Sequence, residues 1–166
     1  IVTKCPPTLT EAEKDAIRKE LKPLDNQHLF FTTTRYGNPY HILSHRPLPL
    51  QPSMEVLLVT GIANPAPLKN YLQDAVAAYY ELSYRDHHIY TIDDWKEIKK
   101  RYAFMGADRK IILTTEKDAV RLTKFAQELQ EYPVYVLPID IQFLFNQEKA
   151  FTDLIIKFIN EFRPIT

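Results

Sequence analysis

Glu55-Val56-Leu57-Leu58-Val59-Thr60-Gly61-Ile62-Ala63-Asn64-Pro65 is where the chain takes on a regular rhythm. Val56 to Thr60 is apolar or β-branched with no polar alternation, which reads as a short strand covered on both faces. Gly61 closes it, and Asn64 with Pro65 opens a helix, as N-cap and first helical residue. Leu68, Tyr71, Leu72, Ala75 and Val76 then share one helix face. The same unit recurs downstream. Tyr79 to Tyr84, Lys110 to Thr114 and Val134 to Leu137 read as strands. Thr91 and Thr115 cap helices whose inner stripes are Trp95, Ile98 and Tyr102, then Leu122, Phe125, Ala126 and Leu129. Such alternation predicts an α/β fold: a mostly parallel, covered sheet of about four strands in a Rossmann-like three-layer arrangement.

Upstream of this rhythm lies a smaller segment. Ile1 to Lys4 reads as the end of a buried strand. Thr10-Glu11-Ala12-Glu13 is a capping-box pattern, and apolar residues at helical spacing carry the helix to about Leu21, before Lys22-Pro23. His28 to Tyr36 suits a strand, Gly37-Asn38-Pro39 a turn, and Tyr40 to Leu43 its hairpin partner. Pro47, Pro49 and Pro52 exclude helix and central strand. The predicted organisation is therefore 1–46 as the end of an upstream domain plus a hairpin segment, 47–53 as a Pro-rich linker, and 54–166 as a C-terminal α/β domain. Phe151, Leu154, Ile155, Phe158, Ile159 and Phe162 form the stripe of a final amphipathic helix, read as core rather than as a membrane anchor.

Composition narrows the function. Of 166 residues, 45% are hydrophobic and 25% charged, a globular balance, and Lys plus Arg equal Asp plus Glu at 21 each. No whole-chain field draws the protein to nucleic acid. Lys96, Lys99, Lys100 and Arg101, with Arg109 and Lys110, read as solvated faces; the sharper reading is a landing strip for an anion or a membrane surface. Cys5 is the only cysteine, so neither an internal disulfide nor a thiolate metal cage can form. No apolar run approaches the roughly 20 residues that span a bilayer. The opening Ile1-Val2-Thr3-Lys4 reads as part of something longer. Only Gly37, Gly61 and Gly106 exist, far apart, so no Gly-rich phosphate-binding loop is present.

Candidate chemistry sits where strands end. Thr60-Gly61-Ile62-Ala63-Asn64-Pro65, Arg85-Asp86-His87-His88, Thr114-Thr115-Glu116-Lys117-Asp118 and Leu137-Pro138-Ile139-Asp140 each close an apolar run with polar or turn-forming residues. Ligands bind at the carboxyl ends of strands in open α/β sheets, so the four endings predict one site. Asp86 and His87 are the catalytic candidates, since a carboxylate beside an imidazole orients it and keeps it basic. Such a pair can help deprotonate a hydroxyl or hold a carboxylate supplied from elsewhere. The plainer alternative is a turn with one packed and one solvated histidine. Thr60, Gly61, Asn64, His88, Thr115, Glu116, Lys117 and Asp118 are the candidate cleft residues. Thr115 with Asp118 reads first as a capping box, and Glu116 and Asp118 suit a helix start. Lys117 opposes the helix dipole, and either a phosphate or pairing with Asp86 would account for it. No metal site is expected, because adjacent histidines seldom face one ion.

In order, Val2-Thr3-Lys4-Cys5-Pro6, Thr60-Gly61-Ile62-Ala63-Asn64-Pro65, Asp86-His87-His88-Ile89-Tyr90, Thr114-Thr115-Glu116-Lys117-Asp118-Ala119-Val120-Arg121-Leu122 and Leu137-Pro138-Ile139 resemble the C-terminal half of tetraacyldisaccharide 4′-kinase, the lipid A 4′-kinase of Gram-negative bacteria. The resemblance covers essentially the whole chain. It implies an enzyme that transfers the γ-phosphate of ATP, with Mg²⁺, to the 4′-hydroxyl of an acylated glucosamine disaccharide. It also implies peripheral residence on the cytoplasmic face of the inner membrane. His87 would match the family histidine that pairs with a catalytic Asp, with Asp86 its neighbour in the motif. The family's phosphate loop, metal-binding acids and catalytic Asp lie upstream of anything like Ile1, so the expectation is a partial enzyme, inactive alone. The alternatives are a non-catalytic α/β module that binds a small anion, and a metal-dependent phosphoesterase that uses Asp86, His87 and His88.

Overall fold

The computed structural model describes residues 1–162. In chain order the elements are α1 (Glu11–Leu21), β1 (Thr32–Tyr36), β2 (Tyr40–His41), β3 (Glu55–Thr60), α2 (Ala66–Ala75), β4 (Ala78–Ser83), α3 (Ile92–Phe104), β5 (Lys110–Thr115), α4 (Glu116–Leu122), a 3-10 turn (Thr123–Phe125), α5 (Ala126–Leu129), β6 (Val134–Leu137), β7 (Ile139–Phe143) and α6 (Glu148–Glu161). They form two compact units, Tyr36–Pro138 and Ile1–Arg35 with Ile139 onward.

The larger unit is the expected α/β sandwich. Its sheet has five strands in the order β2-β6-β5-β3-β4. β4, β3, β5 and β6 run parallel, and β2 adds an antiparallel edge through Tyr40↔Val136 and His41↔Tyr135. Alternate side chains feed two layers. Leu57, Val59 and Ile112 pack with Trp95, Ile98, Leu122 and Leu129 of α3 to α5. Val56, Leu58, Ile111 and Leu113 pack with Leu68 and Leu72 of α2. Apolar burial on both faces explains why these strands lack polar alternation.

Three features depart from the sequence reading. β1 and β2 do not form a hairpin: β1 pairs with β7, and β2 takes the open edge of β6. The Gly37 N–H donates to the Pro138 carbonyl at 3.0 Å, so the predicted turn hands the chain onward instead of folding it back. Residues 47–53, read as a linker, belong to the larger unit. Pro47 bridges Tyr40, the Leu48 N–H donates to the Pro39 carbonyl, and Leu48 and Leu50 lean on the core. Prolines there exclude regular structure without preventing packing. The helix after Thr115 is broken at Thr123, whose hydroxyl donates back to the Val120 carbonyl.

The smaller unit keeps the Thr10–Glu13 capping box and an α1 that ends on Lys22 in the left-handed region. Val2 makes a parallel bridge to Phe31. Phe151 of α6 packs against Phe30 and Phe143, at ring separations of 5.2 and 4.9 Å. Beyond that turn the predicted core stripe does not hold. Ile155, Phe158, Ile159 and Phe162 are exposed, because a two-stranded sheet covers only one turn of α6. Residues 163–166 of the predicted C-terminal domain lie outside the described residues.

Candidate functional site

Three of the four predicted endings converge at the carboxyl edge of β3, β4 and β5. At the end of β3, Gly61 is closely packed. A Cβ there would lie 3.0 Å from the Arg85 carbonyl, 3.1 Å from Asp118 Oδ1 and 3.5 Å from the His88 Cβ. Its backbone N–H donates to Asp118 Oδ2 at 3.0 Å. Thr115 caps α4 by accepting the Asp118 N–H, and its hydroxyl donates to Asp118 Oδ2 at 2.7 Å. Thr115 and Asp118 therefore complete only the Thr115 half of the expected capping box. The acid of a capping box normally turns back to the cap residue's own N–H. Here it turns to Gly61 and ties two strand ends together from a fully buried position.

The β4 ending is a tight turn in which the His88 N–H donates to the Arg85 carbonyl. His87 occupies it with φ of 62°, in the left-handed region that Lys4, Lys22, His45, Phe145 and Asn146 also visit. Holding a non-Gly residue there costs on the order of 1–3 kcal/mol, which the surrounding contacts must offset. Asp86 Oδ1 accepts the His87 N–H at 3.0 Å and the Lys117 ammonium at 2.5 Å. The Lys117 hydrogen bond holds the Asp86 carboxyl below its usual range, against a smaller desolvation penalty and with help from His87. Asp86 Oδ2 lies 3.6 Å from His87 Nε2, and Arg121 Nη2 lies 3.3 Å from His87 Nδ1. Arg121 Nη1 faces Asp118 Oδ1 at 3.8 Å. The His87 ring itself is 72% exposed, so the turn presents it to solvent.

The adjacent histidines divide. His88 turns away from Asp86: its Nε2 bonds Asp94 Oδ2 at 2.9 Å, and its ring stacks on Tyr84 at 4.5 Å. Asp94 is the acid of the Thr91 capping box on α3. Burial opposes its ionisation, but hydrogen bonds from His88 and Thr91 prevail and hold the carboxyl low. Burial first, then the charges of Asp94 and Glu97, push the Tyr84 phenol up to about 12. His88 thus behaves as a packed, partnered histidine.

The remaining candidates spread out. Thr60 is buried at the strand end, below the cluster. Asn64 accepts the Ala66 N–H at 3.1 Å but is not the expected N-cap: Pro65 takes that position, and α2 starts one residue later. Glu116 is exposed in the first turn of α4. The fourth ending begins at the same edge, where Leu137 of β6 pairs with Thr115. Asp140 of β7 lies 3.6 Å from Arg35 in the smaller unit. Arg121 and Tyr90 were not singled out from sequence, whereas Asp94 falls in the cap read at Thr91 to Asp94. Arg121 was findable, since it lies three residues beyond Asp118 on a predicted helix.

The Gly61 N–H, the backbone donor best placed for a phosphate, is committed to Asp118. Among the described residues, no group of three or more His, Cys, Asp or Glu side chains is placed to hold a metal ion.

Comparison with known proteins gives a consistent result. Residues 4–160 match the family model of tetraacyldisaccharide-1-P 4′-kinase. The chain is 35% identical to a tetraacyldisaccharide 4′-kinase of Bacteroides thetaiotaomicron, over 97% of this chain and 46% of that protein. It is 36% identical to one of Bacteroides fragilis, over 97% and 45%. A crystal structure of the "apo" form of LpxK from Aquifex aeolicus in complex with ATP is similar at 18% identity and a TM-score of 0.49, covering 84% of this chain and 40% of that one. The chain thus spans about half the length of the curated relatives it matches. With its motifs in family order and the match running through nearly all of it, the chain belongs to the tetraacyldisaccharide-1-P 4′-kinase family.

Proposed function

We propose that this chain is the substrate-side portion of an ATP-dependent kinase that phosphorylates the 4′-hydroxyl of the acylated glucosamine disaccharide in lipid A biosynthesis. One observation carries the reading: His87 is held in a left-handed turn where three strand ends meet, with Arg121 on one ring nitrogen and Asp86 facing the other. Backbone strain of this kind clusters at functional sites. Asp86 and His87 supply the imidazole and its neighbouring carboxylate to a cleft, and Lys117 fixes Asp86.

ATP and Mg²⁺ serve the full-length enzyme and are held by residues outside this chain; they supply the phosphoryl group and neutralise its charge. Alone, the chain is inactive in this reading, which the committed Gly61 N–H and the three scattered glycines support. The enzyme works peripherally at the cytoplasmic face of the inner membrane, where its lipid substrate lies. Among the described residues, no helix is long and apolar enough to cross a membrane.

The convergence of Lys117 and Arg121 beside His87 favours a second reading, a non-catalytic anion-binding module. The test is ATP-dependent phosphorylation of the acylated disaccharide by a full-length polypeptide carrying this chain, with and without His87. Activity that depends on His87 supports the kinase. Phosphate binding by the chain, with no phosphorylation in the full-length protein, supports the module.

A further inference from the structure

Arg121 reaches both the buried Asp118 and the exposed His87, and neither the capping pattern nor the strand endings give it a task. Its guanidinium carries donors only and stays protonated in proteins. With Nη2 at 3.3 Å, His87 Nδ1 must therefore be the acceptor. A neutral imidazole that accepts at Nδ1 carries its proton at Nε2. Nε2 faces Asp86 Oδ2 at 3.6 Å, beyond hydrogen-bond length, so that N–H is available to another acceptor.

Arg121 is itself anchored. Its Nη1 and Asp118 Oδ1 are both buried, lack any hydrogen-bond partner and face each other at 3.8 Å. Asp118 is held by the Gly61 N–H and the Thr115 hydroxyl. A chain of contacts thus runs from the end of β3 through Asp118 and Arg121 to the His87 ring. The charged groups facing that ring are Asp86 from its own turn and Arg121 from α4, with Lys117 of α4 acting through Asp86.

We propose that Arg121 is a positioning residue that fixes His87 as the Nε2–H tautomer, making it a hydrogen-bond donor to a carboxylate and not a proton acceptor. This rests on the reading of His87 as part of the kinase site. In a phosphoryl transfer the acceptor hydroxyl's proton passes to a carboxylate. An imidazole that donates from Nε2 orients that carboxylate and neither gains nor loses a proton itself.

The test uses long-range ¹⁵N–¹H correlation spectra of the labelled chain, at a pH well above the ordinary imidazole range. His87 is assigned by its loss in His87→Gln. The expected result is one pattern, protonated at Nε2 and bare at Nδ1. Arg121→Met should give a mixture of tautomers, and Arg121→Lys should restore the single form. In the full-length polypeptide, Arg121→Met should lower kcat at least about tenfold, with KM for the disaccharide nearly unchanged. A proton on Nδ1 in the wild type, or an unaltered Nε2–H tautomer in Arg121→Met, overturns the proposal. If Arg121→Met loses its native amide spectrum, the wild-type tautomer decides. A tautomer shift in Arg121→Met with full turnover in His87→Ala would leave the positioning role standing and remove the kinase role of His87. A large loss in His87→Ala with no tautomer shift in Arg121→Met would do the reverse.

Discussion

The Asp118 carboxylate accepts the Gly61 backbone N–H at 3.0 Å, joining the start of α4 to the end of β3 across 57 residues of sequence. It is fully buried and also accepts the Thr115 hydroxyl. Asp118→Ala would strand a buried N–H, a hydroxyl and the Arg121 guanidinium together. Removing one partner from such a buried charged network costs roughly 3 kcal/mol or more. The urea midpoint should fall accordingly; a loss below about 1 kcal/mol would mean that solvent already reaches this carboxylate.

Gly61 should tolerate no side chain, for a steric reason, since no glycine here has positive φ. In Gly61→Ala the new Cβ meets the Arg85 carbonyl at 3.0 Å and Asp118 Oδ1 at 3.1 Å, and neither is the end of a freely moving side chain. Overpacking of this kind costs about 1–3 kcal/mol. Gly106→Ala is the matched control, because nothing lies within 4 Å of a Cβ there. It should be neutral or slightly stabilising. Equal effects in the two variants would show that the Gly61 packing is looser than described.

Asp94 sets an acid limit on the α3 cap. Its carboxyl is depressed in the folded state, so its stabilising contribution is present above the ordinary value of 3.8 and is lost as pH falls through the lower folded value. Asp94→Ala should cost about 1 kcal/mol near neutrality. That difference from wild type should shrink once the pH drops below 3.8. A difference that stays constant through this range would show that the cap does not depend on the charge.

His88 and His87 should separate by phenotype. His88→Ala removes a ring stacked on Tyr84 and bonded to Asp94, so it should lower thermal stability. Its effect on turnover should follow only from that instability. If His88→Ala abolished turnover without moving the melting temperature, His88 would belong to the reacting site.

The α/β rhythm was legible because burial on both faces leaves a plain mark: Val56 to Val59 and Ile111 to Leu113 have no polar alternation, and Thr91 and Thr115 are strong caps. The strand-end clustering was legible for the same reason, since parallel topology places the ends of β3, β4 and β5 on one edge. What the residues could not show was partner choice between elements. Tyr40 to Leu43 suits a hairpin with the strand before it as well as an edge beside β6, and only the tertiary fold selects. The Asp86-His87-His88 run also hid its own division, because the left-handed turn at His87 sends neighbouring rings to different partners. The exposed stripe of α6 looked like core because an amphipathic pattern records that a face is apolar, not what covers it.

The most direct test is the turnover of His87→Ala in a full-length polypeptide carrying this chain, measured as ATP-dependent phosphorylation of the acylated disaccharide. Because the ring is exposed, its removal should leave the unfolding midpoint nearly unchanged. Turnover should nevertheless fall by about 10²-fold or more if the imidazole supports proton transfer. Turnover within about twofold of wild type would contradict the account and leave His87 a strained turn residue without a part in the chemistry.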